Sequence, residues 1–171
     1  MTAPAEAAEV VVIGGGIAGV ATAYYLARAG VPVALYEKGR IAGEQSSRNW
    51  GWIRKQGRDP RELPAAILAL RLWEEIAAAL PEEIGWRRGG IAYLAETEAE
   101  LARHAAWLPH ARAHQLDTRL LSPAETDALL RQDRRRFKGA LFTASDARAE
   151  PGLAVPALAR AAAAEGAVIQ Q

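Results

Sequence analysis

Residues 9–37 read EVVVIGGGIAGVATAYYLARAGVPVALYE, and the order of their parts decides the fold. Glu9 to Ile13 is a β-branched run, suited to a strand buried on both faces of a parallel sheet. The run GGGIAG, Gly14 to Gly19, leads into a helix that Gly30 closes as a left-handed cap. A second strand begins at about Val33 and ends on Glu37. Strand, glycine turn, helix and strand in about thirty residues form a βαβ unit with a right-handed crossover.

Gly14, Gly16 and Gly19 make the pattern G-x-G-x-x-G. The first glycine permits the tight turn, the second lets backbone approach a pyrophosphate, and the third lets helix and strand pack closely. The helix N-terminus offers free N–H groups and a positive dipole end to phosphate. Glu37, at the tip of the second strand, can accept both hydroxyls of a ribose and would repel a 2′-phosphate. Gly15, Ile17 and Ala18, inside the glycine turn, and Lys38, beside the acid, join them as candidate cofactor-binding residues. The plain alternative is a glycine-rich turn in an unrelated α/β protein. The motif alone does not separate FAD from NAD.

The chain has 171 residues, 50% hydrophobic and 24% charged, which are globular values. A net charge of +1 argues against electrostatic binding of nucleic acid or acidic membranes. No cysteine is present, which excludes disulfides, thiol catalysis and Cys-ligated metal, and favours a cytoplasmic setting. Val10 to Ala27 carries no charge, but its glycines and lack of a basic flank read as buried strand and helix rather than a membrane span.

Beyond the βαβ unit, Leu63 to Leu80 reads as a helix with Leu68, Leu72, Ile76 and Leu80 on its inner face, stopped by Pro81. Gly89 to Ala95 reads as a strand. Thr97 with Glu100 caps a helix to about Trp107, and Ser122, Pro123 and Glu125 cap another to about Leu130. A strand from Gly139, a helix from Pro151 to Ala164, a cap at Gly166 and a strand at Ala167 to Ile169 complete the pattern.

The stretch Gly43 to Pro60, GEQSSRNWGWIRKQGRDP, reads by composition as a linker, yet it holds more recognition chemistry than a linker requires. With residues 9–38 before it and PRELPAAILALRLW after it, it resembles the FAD-dependent amine and amino-acid oxidoreductases: D-amino-acid dehydrogenases, glycine oxidase and sarcosine oxidase. The likeness is strongest over Glu9 to Trp73 and returns at SDARAEPGLAVPALARAAAAEGAVI, whereas Glu82 to Phe137 carries little of it.

The resemblance implies an α/β fold: a Rossmann-like FAD-binding βαβ with the start of an inserted α+β substrate domain. It divides the chain into an FAD-binding part (1–85), a partial substrate domain (86–145) and a return to the FAD-binding domain (146–171). It also implies that Ser46, Ser47, Arg48, Asn49 and Gly51 line the pyrophosphate and the flavin ring. Arg54, seven residues before RELP, matches an arginine that meets the substrate carboxylate or tunes the ring in the sarcosine-oxidase branch. A planar guanidinium suits a carboxylate, and a surface salt bridge is the plain alternative. Covalent-flavin members carry a His in this loop; here none lies between Met1 and Arg103, so FAD is expected to be non-covalent. The implied reaction is oxidation of a D- or N-alkyl amino acid or amine by hydride transfer to flavin N5. O2 or an electron-transfer partner would be the acceptor. The chain reads as an N-terminal fragment, cut just after its last strand begins.

Two other readings stay open: a non-catalytic NAD- or FAD-binding module, and an interaction protein with an idle glycine loop. His104, His110 and His114 cluster in sequence, but Pro109 is expected to break the helix and no acid shares their spacing, so no metal site is expected. The basic run Arg131 to Lys138 reads as a solvated loop, and Trp73 and Trp107 as packing residues. Trp50 and Trp52 flank the proposed ring site.

Overall fold

The computed structural model describes residues 8–80, 83–134 and 136–171. In chain order its elements are β1 (Val10–Ile13), α1 (Ile17–Arg28), β2 (Val33–Tyr36), β3 (Trp52–Ile53), α2 (Leu63–Ala79), β4 (Ile91–Ala95), α3 (Glu98–Ala113), β5 (Thr118–Leu121), α4 (Pro123–Leu130), β6 (Gly139–Thr143), β7 (Ala147–Arg148), α5 (Pro151–Ala164) and β8 (Val168–Gln170). Short 3₁₀ turns lie at Gln45–Ser47 and Pro60–Glu62. Two compact units emerge: Met1–Gly51 with Glu74–Trp86 and Ala149–Gln171, and Trp52–Trp73 with Arg87–Arg148. Residues 52–73 therefore group with the middle of the chain rather than with the βαβ unit, because Trp52 and Ile53 pair antiparallel with Arg148 and Ala147.

The first unit is built on a parallel sheet of order β1-β2-β8, with Val10 beside Val33 and Ala34 beside Val168. α1 buries Val20, Ala23, Tyr24 and Ala27, the i, i+3, i+4, i+7 face of an amphipathic helix. That helix packs on α5, which buries Ala154, Val155, Ala157, Leu158, Ala159 and Ala162. Small residues on both surfaces let the two helices approach closely. Within this sheet only β2 is buried throughout its first three residues. β1 is an edge strand with Val11 58% and Ile13 90% exposed, which corrects the expectation of a first strand buried on both faces. Gly30 and Gly166, at φ +76° and +103°, end α1 and α5 where the sequence places caps.

The second unit is α+β. β4-β6-β5 is an antiparallel sheet, and α3 and α4 pack on it. Both capping boxes form: Thr97 accepts from the N–H of Glu100 and Ser122 from that of Glu125, each Glu returning a bond. α3 passes through the exposed Pro109 to Ala113, so the expected break does not occur; the proline removes one rung of the helix ladder without ending it. α2 also differs from its expected face. Leu63, Leu70, Ile76 and Leu80 are buried, whereas Leu68 is 54% exposed, because a strict four-residue repeat drifts around a helix of 3.6 residues per turn. Pro81, the expected stop, lies outside the described residues, and so does Arg135 of the basic run.

Candidate functional site

The glycine loop is held by backbone bonds to β2 and to the segment that follows it. Gly14, at φ +107°, donates to the carbonyl of Tyr36 at 2.8 Å, tying the end of β1 to β2. A Cβ on Gly19 would lie 2.0 Å from the carbonyl oxygen of Gly14 and 3.3 Å from Val12, so only glycine lets α1 start this close to the strand it leaves. The carbonyl of Gly15 receives the N–H of Ala42, which folds the segment after Glu37 back over the loop.

α1 begins at Gly16, which has no side chain with which to cap the helix, and no acid occupies its first turn. Its positive end is therefore left uncompensated by its own residues. The Oγ of Ser46 fills part of that role from the 3₁₀ turn, accepting the N–H of Ile17 at 2.9 Å. A serine hydroxyl that accepts still has its proton to give, so Ser46 and the helix end can face the same phosphate. Ala18 is exposed beside it.

Glu37 stands just past β2. One carboxylate oxygen accepts the N–H of Gly15 at 2.7 Å and the other that of Gly39 at 2.8 Å. These bonds, Gly15 first, hold its carboxyl below the usual carboxylate range. The acid is thus fixed and ionised next to the glycine turn, with lone pairs remaining for hydroxyl donors. Lys38, beside it, is exposed.

The rest of the expected pyrophosphate-lining segment is occupied with itself. The Ser47 hydroxyl donates to the Glu44 carbonyl at 3.0 Å, and Arg48 pairs with Glu44 at 3.1 Å with both side chains well exposed. Asn49 donates to the carbonyls of Gln45 and Ser46 and accepts the N–H of Gly51 at 2.7 Å. Gly51 has a reason other than a flat ring: at φ +69° its Cβ would fall 1.9 Å from the carbonyl oxygen of Ala149. Of this group, the structure brings Ser46 alone to the end of α1.

Arg54 belongs to the second unit. Its guanidinium lies over the Tyr93 ring, 5.7 Å from the centroid, and Nη1 donates to the Gln56 carbonyl. Among the described residues it forms no ion pair, so the salt-bridge alternative does not hold. Trp52 and His104 flank Tyr93, with centroids 6.2 and 6.1 Å away. Trp50, in the first unit, is 77% exposed.

Lys55 and Asp146, both buried, carry a network that sequence reasoning missed. Asp146 accepts the backbone N–H groups of Lys55 at 2.9 Å and Gln56 at 3.1 Å, and Lys55 Nζ lies 3.7 Å from its carboxylate. Lys55 also donates to Ser145 Oγ at 2.6 Å, which in turn donates to Asp117. Burial pushes the Asp146 carboxyl up, opposed by those N–H groups and by the Lys55 ammonium. Nothing local marks the pair, since its members lie 91 positions apart.

Trp107 donates to the Arg58 carbonyl at 3.1 Å, and His104 Nε2 lies 3.4 Å from the Leu94 carbonyl. Among the described residues no cluster of three or more His, Cys, Asp or Glu could hold a metal ion, and no helix is long and apolar enough to cross a membrane.

A family model described as FAD dependent oxidoreductase matches residues 9–171. The beta subunit of sarcosine oxidase from Arthrobacter sp is 31% identical over 124 residues, covering 71% of this chain and 31% of that protein. Glycine oxidase from Geobacillus kaustophilus is 28% identical over 183 residues, covering 95% of this chain and 45% of that protein. Among solved structures, L-amino acid deaminase from Proteus myxofaciens in complex with anthranilate superposes with a TM-score of 0.91 at 29% identity, over 99% of this chain and 39% of that one. The chain thus spans less than half the length of the relatives it matches.

Proposed function

The chain belongs to the FAD-dependent oxidoreductase family, and from that premise we propose that it serves the oxidation of a small amine or amino acid with non-covalent FAD. The observation that carries the substrate side is the half-buried Arg54 guanidinium, stacked on Tyr93 and left without a carboxylate among the described residues. A fixed, planar cation of this kind takes a carboxylate in two parallel bonds.

On the cofactor side, the uncapped end of α1 with Gly14, Gly15, Gly16, Ile17, Ala18 and Gly19 would hold the pyrophosphate. Ser46 would donate its hydroxyl proton there, and Glu37 would accept the ribose hydroxyls, with Lys38 beside it. The flavin, when bound, supplies the two-electron acceptor. Ser47, Arg48, Asn49 and Gly51 shape the turn that presents Ser46 rather than binding directly. Arg54 orients the substrate by its carboxylate, so that binding energy remote from the reacting bond aligns that bond. The substrate class is a small amine or amino acid, D-, L- or N-alkyl, and the acceptor is O2 or an electron-transfer partner.

The test is anaerobic mixing of the FAD-loaded chain with glycine, sarcosine, and D- and L-amino acids while flavin absorbance is followed. Bleaching by at least one of them, slowed about tenfold or more by Arg54→Lys, is expected. Binding of NAD in preference to FAD, or bleaching indifferent to Arg54, would contradict the proposal.

A further inference from the structure

Arg54 is a long, flexible side chain, and a carboxylate anchor needs it held. The guanidinium lies over the Tyr93 ring, 5.7 Å from its centroid, and the bond from Nη1 to the Gln56 carbonyl restrains its rotation. That carbonyl lies two residues further along the same chain, so it can restrain Arg54 only if the Lys55–Gln56 backbone is itself immobile. One side chain supplies the restraint. Asp146 Oδ1 receives the N–H of Lys55 and Oδ2 that of Gln56, from a position 0% exposed.

We propose that Asp146 is a positioning residue for Arg54: its two carboxylate oxygens clamp the two peptide N–H groups that follow Arg54, and so hold the carbonyl that the guanidinium grips. The consequence for ligand binding rests on the reading of Arg54 as a carboxylate anchor. The clamp itself does not.

The surrounding residues fit this role. Lys55 neutralises the Asp146 carboxylate without competing for both its oxygens, because its ammonium is closer to Ser145 Oγ than to the acid. Asp146 is anchored through its own backbone, its carbonyl accepting the N–H of Gly90 at 2.9 Å just before β4, the strand that carries Tyr93. Gln56, 0% exposed, accepts the Thr143 hydroxyl at its Oε1 at 2.8 Å, which pins the same residue from its side chain. A single residue thus ties the chain segment after Arg54, by its carboxylate, to the segment leading into the strand beneath the guanidinium, by its backbone carbonyl.

The experiment measures hydrogen exchange of the Arg54 guanidinium N–H signals by NMR in the full chain with FAD present. Asp146→Asn leaves one oxygen acceptor and sets an NH2 group against the second peptide N–H. Exchange at Arg54 is expected to accelerate about tenfold or more. Should that variant fail to fold, Lys55→Met/Asp146→Asn removes both charges together, so no lone buried charge remains, and it loses the same acceptor. Ser145→Ala, which removes the bonds to the lysine head and to Asp117 but neither peptide N–H acceptor, is the control and should leave Arg54 exchange unchanged. Unaltered exchange in both Asp146 variants, or equal acceleration in the serine control, would overturn the clamp.

A second arm titrates anthranilate into the same proteins by calorimetry. About tenfold weaker binding in the Asp146 variant, with no further loss from Asp146→Asn once Arg54→Lys is in place, is expected of a residue that acts through Arg54. Additive losses would overturn it. Failure of the unsubstituted chain to bind anthranilate would refute the carboxylate reading of Arg54 alone, with the exchange result still deciding the clamp.

Discussion

Ser46 to Asn49 and Arg54 to Gln56 lie within eleven residues of one another in a stretch that reads as a single cofactor wall, yet they are held in opposite ways. The first set is largely exposed and, apart from the bond from Ile17 to Ser46, bonds within its own turn, to Glu44, Gln45 and Gly51. The second is buried or half-buried and held by Asp146, some ninety positions downstream. The change comes at Gly51, whose left-handed backbone turns the chain against Ala149. Neighbours in sequence thus belong to different units, and substitutions in them should differ in kind.

The widest gap is expected at Asp146. Asp146→Ala strands the buried Lys55 ammonium and two peptide N–H groups, and should destabilise the fold by about 3–5 kcal/mol in denaturant melts. A loss comparable to that of an exposed salt bridge, such as Arg48 with Glu44, would erase the contrast between the two segments.

Gly51→Ala comes next. Its added methyl would meet the Ala149 carbonyl at 1.9 Å in a left-handed conformation, so a loss of about 2 kcal/mol is expected. The same melts check it.

Within the exposed set, Ser46→Ala is expected to weaken FAD binding about tenfold while shifting the melt little, and Ser47→Ala to change neither. Fluorescence titration of FAD separates the two.

The smallest effect concerns pH and lies away from both segments. Glu125 in the second capping box is held at a pKa of about 2 against an ordinary 4.5, by the Ser122 N–H first and then by Arg119. A depressed acid binds fewer protons folded than unfolded. Its contribution is therefore complete above pH 4.5 and lost as pH falls toward about 2. Glu125→Gln should flatten that part of the acid-unfolding curve of the second unit.

What was legible in the sequence follows the same division. The βαβ unit, the caps at Gly30 and Gly166 and both capping boxes rest on bonds between near neighbours, and residue types at fixed spacing announce them. α5 falls on the expected residues because Pro151 and Gly166 bracket it. The two-residue strands β3 and β7 could not be read, since nothing in Trp52–Ile53 or Ala147–Arg148 marks a partner ninety positions away. Pro109 misled because a proline in a helix weakens it without always stopping it. Ser47, Arg48 and Asn49 carry the right chemistry for phosphate, and their side chains also bond to Glu44, Gln45 and Ser46 within the turn. At the candidate site, the glycine loop and Glu37 were visible as a motif; Asp146 and Tyr93 reach Arg54 and its neighbour Lys55 only through tertiary pairing.

The proposed cofactor site is the start of α1, with Ser46 and Glu37 beside it. Its most direct test is equilibrium titration of FAD and NAD into the chain and into Gly16→Val. The account predicts one FAD per chain, bound in preference to NAD and lost when the valine side chain crowds the helix end. Preference for NAD, or FAD binding that survives Gly16→Val unchanged, would contradict it.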